Sequence, residues 1–329
     1  MIRDLFVPEN WERLNDQFRE QLKVPSDQLI KFYRGLGHGV YEIAVGLSQL
    51  YSHKRSVGFV KGNDPYIEFI QPHYLREAYQ IQAMDSISLQ QHHAHWGEWV
   101  QTLKKDTVFV LACEDHPVTG EIQDLSELDS ALNDKKIFFI RISHAAHVFH
   151  PMEVNPYTVR ICSVNKDLAF VHSGAKFKVP PLIASTMEWS FKEIQMALKH
   201  LENKKEFPQE ILKFEDSLKD FKFPWAGQKR IYDRGLVILP GVTGDLMSHT
   251  LSQKLGFSAS DQFNLNLWSP HLCQWNSVKM FKNWWKNSPQ DETLRDLLII
   301  SSELIQRNGF AESLRKTYEE LKNSQTWSF

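Results

Sequence analysis

Cysteine is scarce in this chain: three residues, Cys113, Cys162 and Cys273, among 329. An odd and widely spaced set argues against a disulfide framework and against a cysteine-built metal site. It fits reduced thiols in a cytoplasmic protein, and no metal site is expected. Cys113 and Cys162 fall in strand-like runs, where a thiol serves as a small buried apolar side chain. Charge of one sign is missing too. Thirty-eight Lys and Arg against 40 Asp and Glu leave a net charge of -2, with no long single-sign run. The basic footprint of a nucleic-acid partner is absent, and the charges read as a mixed, solvated surface. No stretch is long and apolar enough to span a bilayer, so no membrane partner is expected. The start, MIRDLFVPENW, lacks a basic opening followed by an apolar run and does not read as a signal peptide. Internal repeats and low-complexity stretches are also lacking.

What remains is an ordinary globular composition, 42% apolar and 24% charged, in a chain long enough for one large α/β domain and a smaller one. Trp11, Leu14, Phe18 and Leu22 recur at helical spacing, with Asn10 as a possible cap, and make 1–30 an N-terminal helical segment. The glycine-rich stretch Gly35-Leu36-Gly37-His38-Gly39 leads into a second helical pattern carried by Val40, Ile43, Ala44, Leu47 and Leu50. The chain then alternates. Strands are expected at 56–60, 107–112 (TVFVLA), 137–142 (IFFIRI) and 157–164 (YTVRICSV), and helices at 72–82, 86–104 and 124–132. Buried strands separated by helices imply βαβ units around a mostly parallel sheet. Helices are expected at 188–203 and 208–221, then short strands at 235–239 (GLVIL) and 262–268 (QFNLNLW). A boundary near 205 divides a large domain, 31–205, from a smaller C-terminal α/β domain, 206–329.

Four local features carry chemical interest. Glycines ahead of a helix expose backbone N–H groups that can hold a phosphate at the positive end of the helix dipole, although a plain turn uses the same residues. EDHPVTGEI, after TVFVLA, suits a loop at the carboxyl edge of a parallel sheet, where ligands gather. IFFIRISHAAHVF ends a buried strand with Arg141, and burying that charge without a partner is costly. His144 and His147 follow with no third ligand in view, and a structural role is the simpler one for both. VRICSVNKDLAF places Ser163 and Lys166 after a buried strand, where a lysine can form a Schiff base with a carbonyl cofactor; a solvated lysine is the ordinary alternative.

The order of these pieces resembles the large domain of the fold type I pyridoxal-phosphate enzymes, the aminotransferase superfamily, over roughly residues 30–190. The resemblance implies a helix-flanked, mostly parallel sheet and pyridoxal phosphate as cofactor. It matches Gly37, His38 and Gly39 to the phosphate loop. It matches Tyr66 to the aromatic residue that stacks on the cofactor ring and Asp115 to the usual asparagine of the loop after the strand. It places Arg141 where an aspartate meets the pyridine nitrogen, with His144 beside it. Ser163 and Lys166 match the serine and the Schiff-base lysine. It also implies a homodimer.

Two departures bear on activity. At about 3 Å and an effective dielectric of about 20, a carboxylate and a protonated pyridine attract by about 5 kcal/mol, and an arginine in that place reverses the sign. The strand expected to supply an arginine for the substrate carboxylate, QFNLNLW, offers Asn264 and Asn266, and asparagine cannot replace a bidentate guanidinium. The leading expectation is therefore a degenerate member that binds a small-molecule ligand or partner instead of transaminating. The alternatives are an active pyridoxal-phosphate enzyme with Lys166 as its catalytic residue, and an interaction protein using Trp275, Trp284 and Trp285.

Overall fold

The computed structural model describes residues 13, 16–17, 19–20, 24–26, 28–61, 65–85, 96–115, 122–143, 154–163, 168–177, 195–196, 199, 207–218, 221, 234–256, 267–268 and 295–325. The chain forms two compact units, Met1–His116 with Gln123–Lys205, and Pro117–Ile122 with Glu206–Phe329.

The first unit runs β1 (Leu29–Arg34), α1 (Gly35–Leu50), β2 (Ser56–Lys61), α2 (Pro65–Arg76), β3 (Gln80–Asp85), α3 (Trp96–Thr102), β4 (Thr107–Cys113), α4 (Ser126–Asp134), β5 (Phe138–Ser143), β6 (Thr158–Ser163) and β7 (Leu168–Ser173). The seven strands make one sheet in the order β1-β7-β6-β5-β4-β2-β3. Strands β2 to β6 run parallel to one another. Only β7 is reversed, pairing antiparallel with both β6 and β1. A mostly parallel sheet must be covered on both faces, and β4, apolar throughout, is buried at every one of its residues.

The two faces have separate cores. On one, Val40, Ile43, Ala44 and Leu47 of α1 and Ile67, Ile70 and Tyr74 of α2 pack on Phe59, Leu111, Ile140, Ile142, Val159, Ile161 and Val171. The apolar stripe of α1 recurs at i, i+3, i+4 and i+7, which puts it on a single helix face. On the other, Trp96 and Val100 of α3 and Leu128 and Leu132 of α4 pack on Val60, Val110, Ala112 and Phe139. Each of these large apolar side chains contributes roughly 1.5–3 kcal/mol by leaving water. Gly35 opens α1 at φ 74°, a left-handed turn that a side chain would oppose, so the chain can swing from β1 directly into the helix.

Three expectations needed revision. Residues 80–82, read as the end of a helix, belong to strand β3, which runs on to Asp85. The preceding helix starts earlier, at Pro65, and contains Pro72. QIQAMD has no apolar stripe of helical period, and pairing with β2 decides its state. Strands β1 and β7 were not anticipated; each is stabilised by partners distant in sequence. Helix α1 begins at Gly35, so Gly37, His38 and Gly39 lie inside its first turns and not ahead of it. Of the helix expected over 86–104, the described part is α3. Most of 188–203, and Trp275, Trp284 and Trp285, lie outside the described residues.

The second unit contains α5 (Phe207–Ser217), β8 (Arg234–Ile238), α6 (Gly244–Lys254), β9 (Leu267–Trp268), β10 (Leu297–Ser301), α7 (Ser302–Ile305) and α8 (Phe310–Gln325). Its antiparallel sheet, β8-β10-β9, carries a core of Val237, Leu239, Leu298 and Ile300 against Phe214, Met247, Leu251, Phe310 and Leu314. The turn after β8 is tied down by Gly241 N–H donating to Asp296 at 2.9 Å and Tyr318 O–H donating to the Pro240 carbonyl at 2.9 Å. Of QFNLNLW only Leu267 and Trp268 are described; Asn264 and Asn266 are not.

Candidate functional site

The strand directions bring several chain reversals to one edge of the large sheet. Arg34 of β1 pairs with Leu168 of β7, and Ser163 of β6 pairs with Ala169. The start of α1 and both ends of the β6–β7 connection therefore share the carboxyl edge, within two strand spacings, about 10 Å. Cys113 and Ser143 end β4 and β5 on the same edge. Lys166 belongs to 164–167 and lies outside the described residues, as does His144. Tyr66 sits in the first turn of α2.

At the start of α1, Arg34 occupies the N-cap position with no capping side-chain hydrogen bond, and the first turn holds no acidic residue. By helix geometry the N–H groups of Gly35, Leu36 and Gly37 have no carbonyl one turn behind them. His38 Nε2 is 2.6 Å from Glu42 Oε1, and the Glu42 side chain is only 9% exposed. The second ring nitrogen of His38, Nδ1, is buried without a hydrogen-bond partner. The Tyr33 ring stands edge-on to the imidazole at 5.8 Å. Burial, and then the Glu42 charge, push the Tyr33 hydroxyl well above the ordinary tyrosine range. Gly39 has a packing role: a Cβ there would lie 3.2 Å from Ile161 Cγ2 and 3.5 Å from Tyr33 Cβ, so the missing side chain lets α1 settle on β1 and β6.

Beyond β4, Asp115 is almost fully buried. The Cys113 thiol donates to the Asp115 carbonyl at 2.9 Å. Glu114 N–H donates to the Ile142 carbonyl, and Gln123 N–H donates to the Glu114 carbonyl, both at 2.7 Å. These bonds fix the base from which the 116–121 segment departs.

Arg141 is held by two carboxylates. Its Nη1 lies 2.8 Å from Asp129 Oδ2 on α4, and its Nη2 pairs with Glu114 Oε1. Arg160 is its cross-strand neighbour and donates from Nε at 2.7 Å and Nη2 at 2.6 Å to the other oxygen of Glu114. Thr158 O–H closes the chain onto Asp129. Burial opposes the Arg160 charge, but Glu114, together with Cys162 and Asp115, offsets it, and the guanidinium pKa ends above its ordinary value. Beside this network the buried Cys162 thiol is pushed up to about 12, chiefly by desolvation.

Arg141 and the glycines of α1 are consequently not brought together. Arg141 points to the α4 face with Phe139, whereas α1 packs on the opposite face with Ile140 and Ile142. The edge does gather the start of α1, Ser163, Asp115 and the two ends of the segment that carries Lys166. Sequence reading missed Glu42, Glu114, Asp129 and Arg160. Glu42 had a visible signal, its i+4 spacing from His38. The other three are paired across strands and a helix, and local spacing does not register that. Among the described residues no His, Cys, Asp and Glu cluster could hold a metal ion, and no helix is long and apolar enough to cross a membrane.

The sheet order, its one reversed strand and the helices on both faces define the fold of the fold type I pyridoxal-phosphate-dependent enzymes. Among solved structures, the chain is similar to a NifS-like protein (TM-score 0.64, 12% identity, 97% of this chain and 88% of that one). It is also similar to a NifS-like protein from Rickettsia africae (0.66, 14%, 96% and 88%) and to the histidinol-phosphate aminotransferase from Clostridium acetobutylicum (0.62, 13%, 98% and 92%). No family model matches the sequence, and no curated protein matches it. At these identities the likeness is one of fold.

Proposed function

We propose that this chain is an aminotransferase-fold protein that holds pyridoxal phosphate at the carboxyl edge of its large sheet and acts in ligand or partner binding instead of ordinary transamination. The observation that carries this reading is the shared edge of the α1 N-terminus, Asp115, Ser163 and the ends of the β6–β7 connection bearing Lys166. The residues fit the phosphate end of the cofactor. Backbone N–H groups without helical acceptors are donors of the kind a phosphate needs, and the His38 Nδ1 in the same turn is a buried polar atom with no partner of its own.

Bound pyridoxal phosphate supplies an electron sink, and the protein supplies orientation and electrostatics. In this reading the start of α1, with Gly37 and His38, holds the phosphate, Gly39 lets the helix approach the sheet beneath it, Tyr66 covers the ring, and Lys166 presents its amine. Asp115 brings a buried carboxyl group to the same edge, with Ser163 and His144 completing the surroundings. Arg141, with its guanidinium committed to Asp129 and Glu114, acts on the base of the 116–121 segment instead of on the ring. Arg141 stands where the resemblance puts the aspartate that would keep the ring nitrogen protonated, and without that aspartate the electron sink would be weak, which favours binding over transamination. A homodimer in the cytoplasm is part of the proposal.

The position of Lys166 between β6 and β7 supports a second reading, an active enzyme with atypical chemistry on an amino-acid-like substrate. Titrating the purified chain with pyridoxal phosphate separates the two. A new visible absorption band, abolished in Lys166→Ala, with no turnover across a panel of amino acids, is the expected result. Turnover establishes the second reading, and a chain that takes up no cofactor refutes both.

A further inference from the structure

We propose that the amino edge of the large sheet is a docking surface for an acidic segment of a partner protein. This edge lies opposite the one that bears the candidate site, and neither reading depends on the other. Three strands that neighbour one another in the sheet, β5, β4 and β2, are each entered through a pair of basic residues. Lys135 and Lys136 precede β5, Lys104 and Lys105 precede β4, and Lys54 and Arg55 precede β2. The strands are parallel, so their starts share one edge. No run of one sign marks this patch in the sequence, because helices and strands separate the pairs; the sheet assembles it.

Five of the six side chains are exposed and Lys54 is half-buried. Among the described residues none of the six is ion-paired. Their acceptors are neutral: Lys54 Nζ donates to the Thr107 carbonyl at 3.3 Å, Lys135 Nζ to the Val100 carbonyl at 2.7 Å, and Lys104 Nζ to the Gln80 side chain. Asp106 and Asp134 are the acids of the same turns, and Asp106 accepts from the Arg55 backbone N–H at 3.4 Å. At the next turn, before β3, Arg76 and Glu77 match in number. Six cations against two acids is a local excess in a chain whose net charge is -2. A cation at a helix C-terminus offsets the dipole, and Lys135 serves α3 in that way through Val100. That role asks for one cation at each helix end, and this row supplies two.

The row spans two strand spacings, about 10 Å, a length that about three residues of extended chain cover. A short run of Asp and Glu matches it in charge and in length. A nucleic acid fits less well. Lys54 lies over the Tyr51 ring at 6.0 Å and Arg55 over the Tyr79 ring at 5.4 Å, and both rings pack on the core, so both are already engaged and not offered to a base. Leu50 and Leu75, 53% and 59% exposed, stand in the last turns of α1 and α2 at this same edge. Apolar side chains of a protein segment can cover them, which a phosphodiester backbone cannot.

The test is fluorescence anisotropy of the full chain with a labelled peptide of glutamate and leucine, at about 0.05 M salt, where charges act over roughly 10 Å or more. The expected result is saturable binding that weakens as salt is raised. Lys105→Glu with Lys136→Glu reverses two exposed side chains that have no hydrogen-bond partner among the described residues, and lowers the affinity by about tenfold or more. Lys213→Glu with Lys316→Glu makes the same change in net charge on α5 and α8, and binds as the wild type does. Leu50→Ser with Leu75→Ser binds severalfold more weakly. Equal losses in the two charge variants, or no saturable binding by the wild type, overturn the inference. So does tighter binding of phosphatidylserine vesicles or of a single-stranded oligonucleotide at the same salt, lost in Lys105→Glu with Lys136→Glu, since it assigns the edge to another class of partner. If the reversal variant does not fold, Lys105→Gln with Lys136→Gln is compared with Lys213→Gln with Lys316→Gln, and equal affinities overturn the inference in the same way.

Discussion

Replacing Glu114 by Gln keeps the shape of the side chain and removes one charge from a network with little access to water. Glu114 is 2% exposed and bridges Arg141 and Arg160, which face each other directly across β5 and β6. Without its carboxylate Arg141 retains Asp129, but Arg160 loses both of its bonds to a charged acceptor, and two guanidiniums are left side by side. Removing one partner of a buried ion pair costs about 3–5 kcal/mol, mainly because the other charge stays buried and uncompensated. That is a large part of the roughly 5–15 kcal/mol that holds a folded protein together. Urea unfolding followed by far-UV circular dichroism measures the loss as a lowered midpoint at constant slope. The double replacement Glu114→Met with Arg160→Met should be less damaging than Glu114→Gln, since it removes both desolvated charges while Arg141 keeps Asp129. A Glu114→Gln loss below about 1 kcal/mol, or a double variant worse than the single, refutes the account of Glu114 as the keystone of this network.

Two further outcomes follow from the packing. A Cβ on Gly174 would lie 2.1 Å from the Asn155 carbonyl and 2.8 Å from Pro156 Cα. Both obstacles are backbone, so Gly174→Ala should destabilise by about 3 kcal/mol, and a melting temperature equal to that of the wild type contradicts this. The Cys162 thiol, raised by burial from an ordinary value of 9.0 to about 12, should resist alkylation in the native chain near neutral pH and react only after unfolding. Because its folded pKa lies above the unfolded one, the stability tied to the neutral thiol is complete below about pH 9. It declines as pH rises towards about 12, and pH-dependent urea midpoints of wild type and Cys162→Ala measure the difference.

The amino-acid sequence by itself determined the elements whose signal is local. The run TVFVLAC, apolar at six of seven positions, could only be a strand buried on both faces, and β4 is one. The stripe through Val40, Ile43, Ala44 and Leu47 specified α1, and IFFIRI and YTVRICSV specified β5 and β6. The same local order carried the resemblance to the pyridoxal-phosphate fold. What the tertiary structure decided was whatever depends on distant partners. QIQAMD becomes a strand because β2 offers it a ladder, and β1 and β7 exist because each pairs with a neighbour far away in sequence. Arg141 shows the limit most plainly. Its place at the end of a buried strand was legible, and so was the need for a counter-charge. Strand alternation turned it away from α1, towards Asp129 and Glu114. Side-chain period along a strand is written in the sequence, but which helix covers which face, and so which acid meets a buried guanidinium, is settled only when the layers pack.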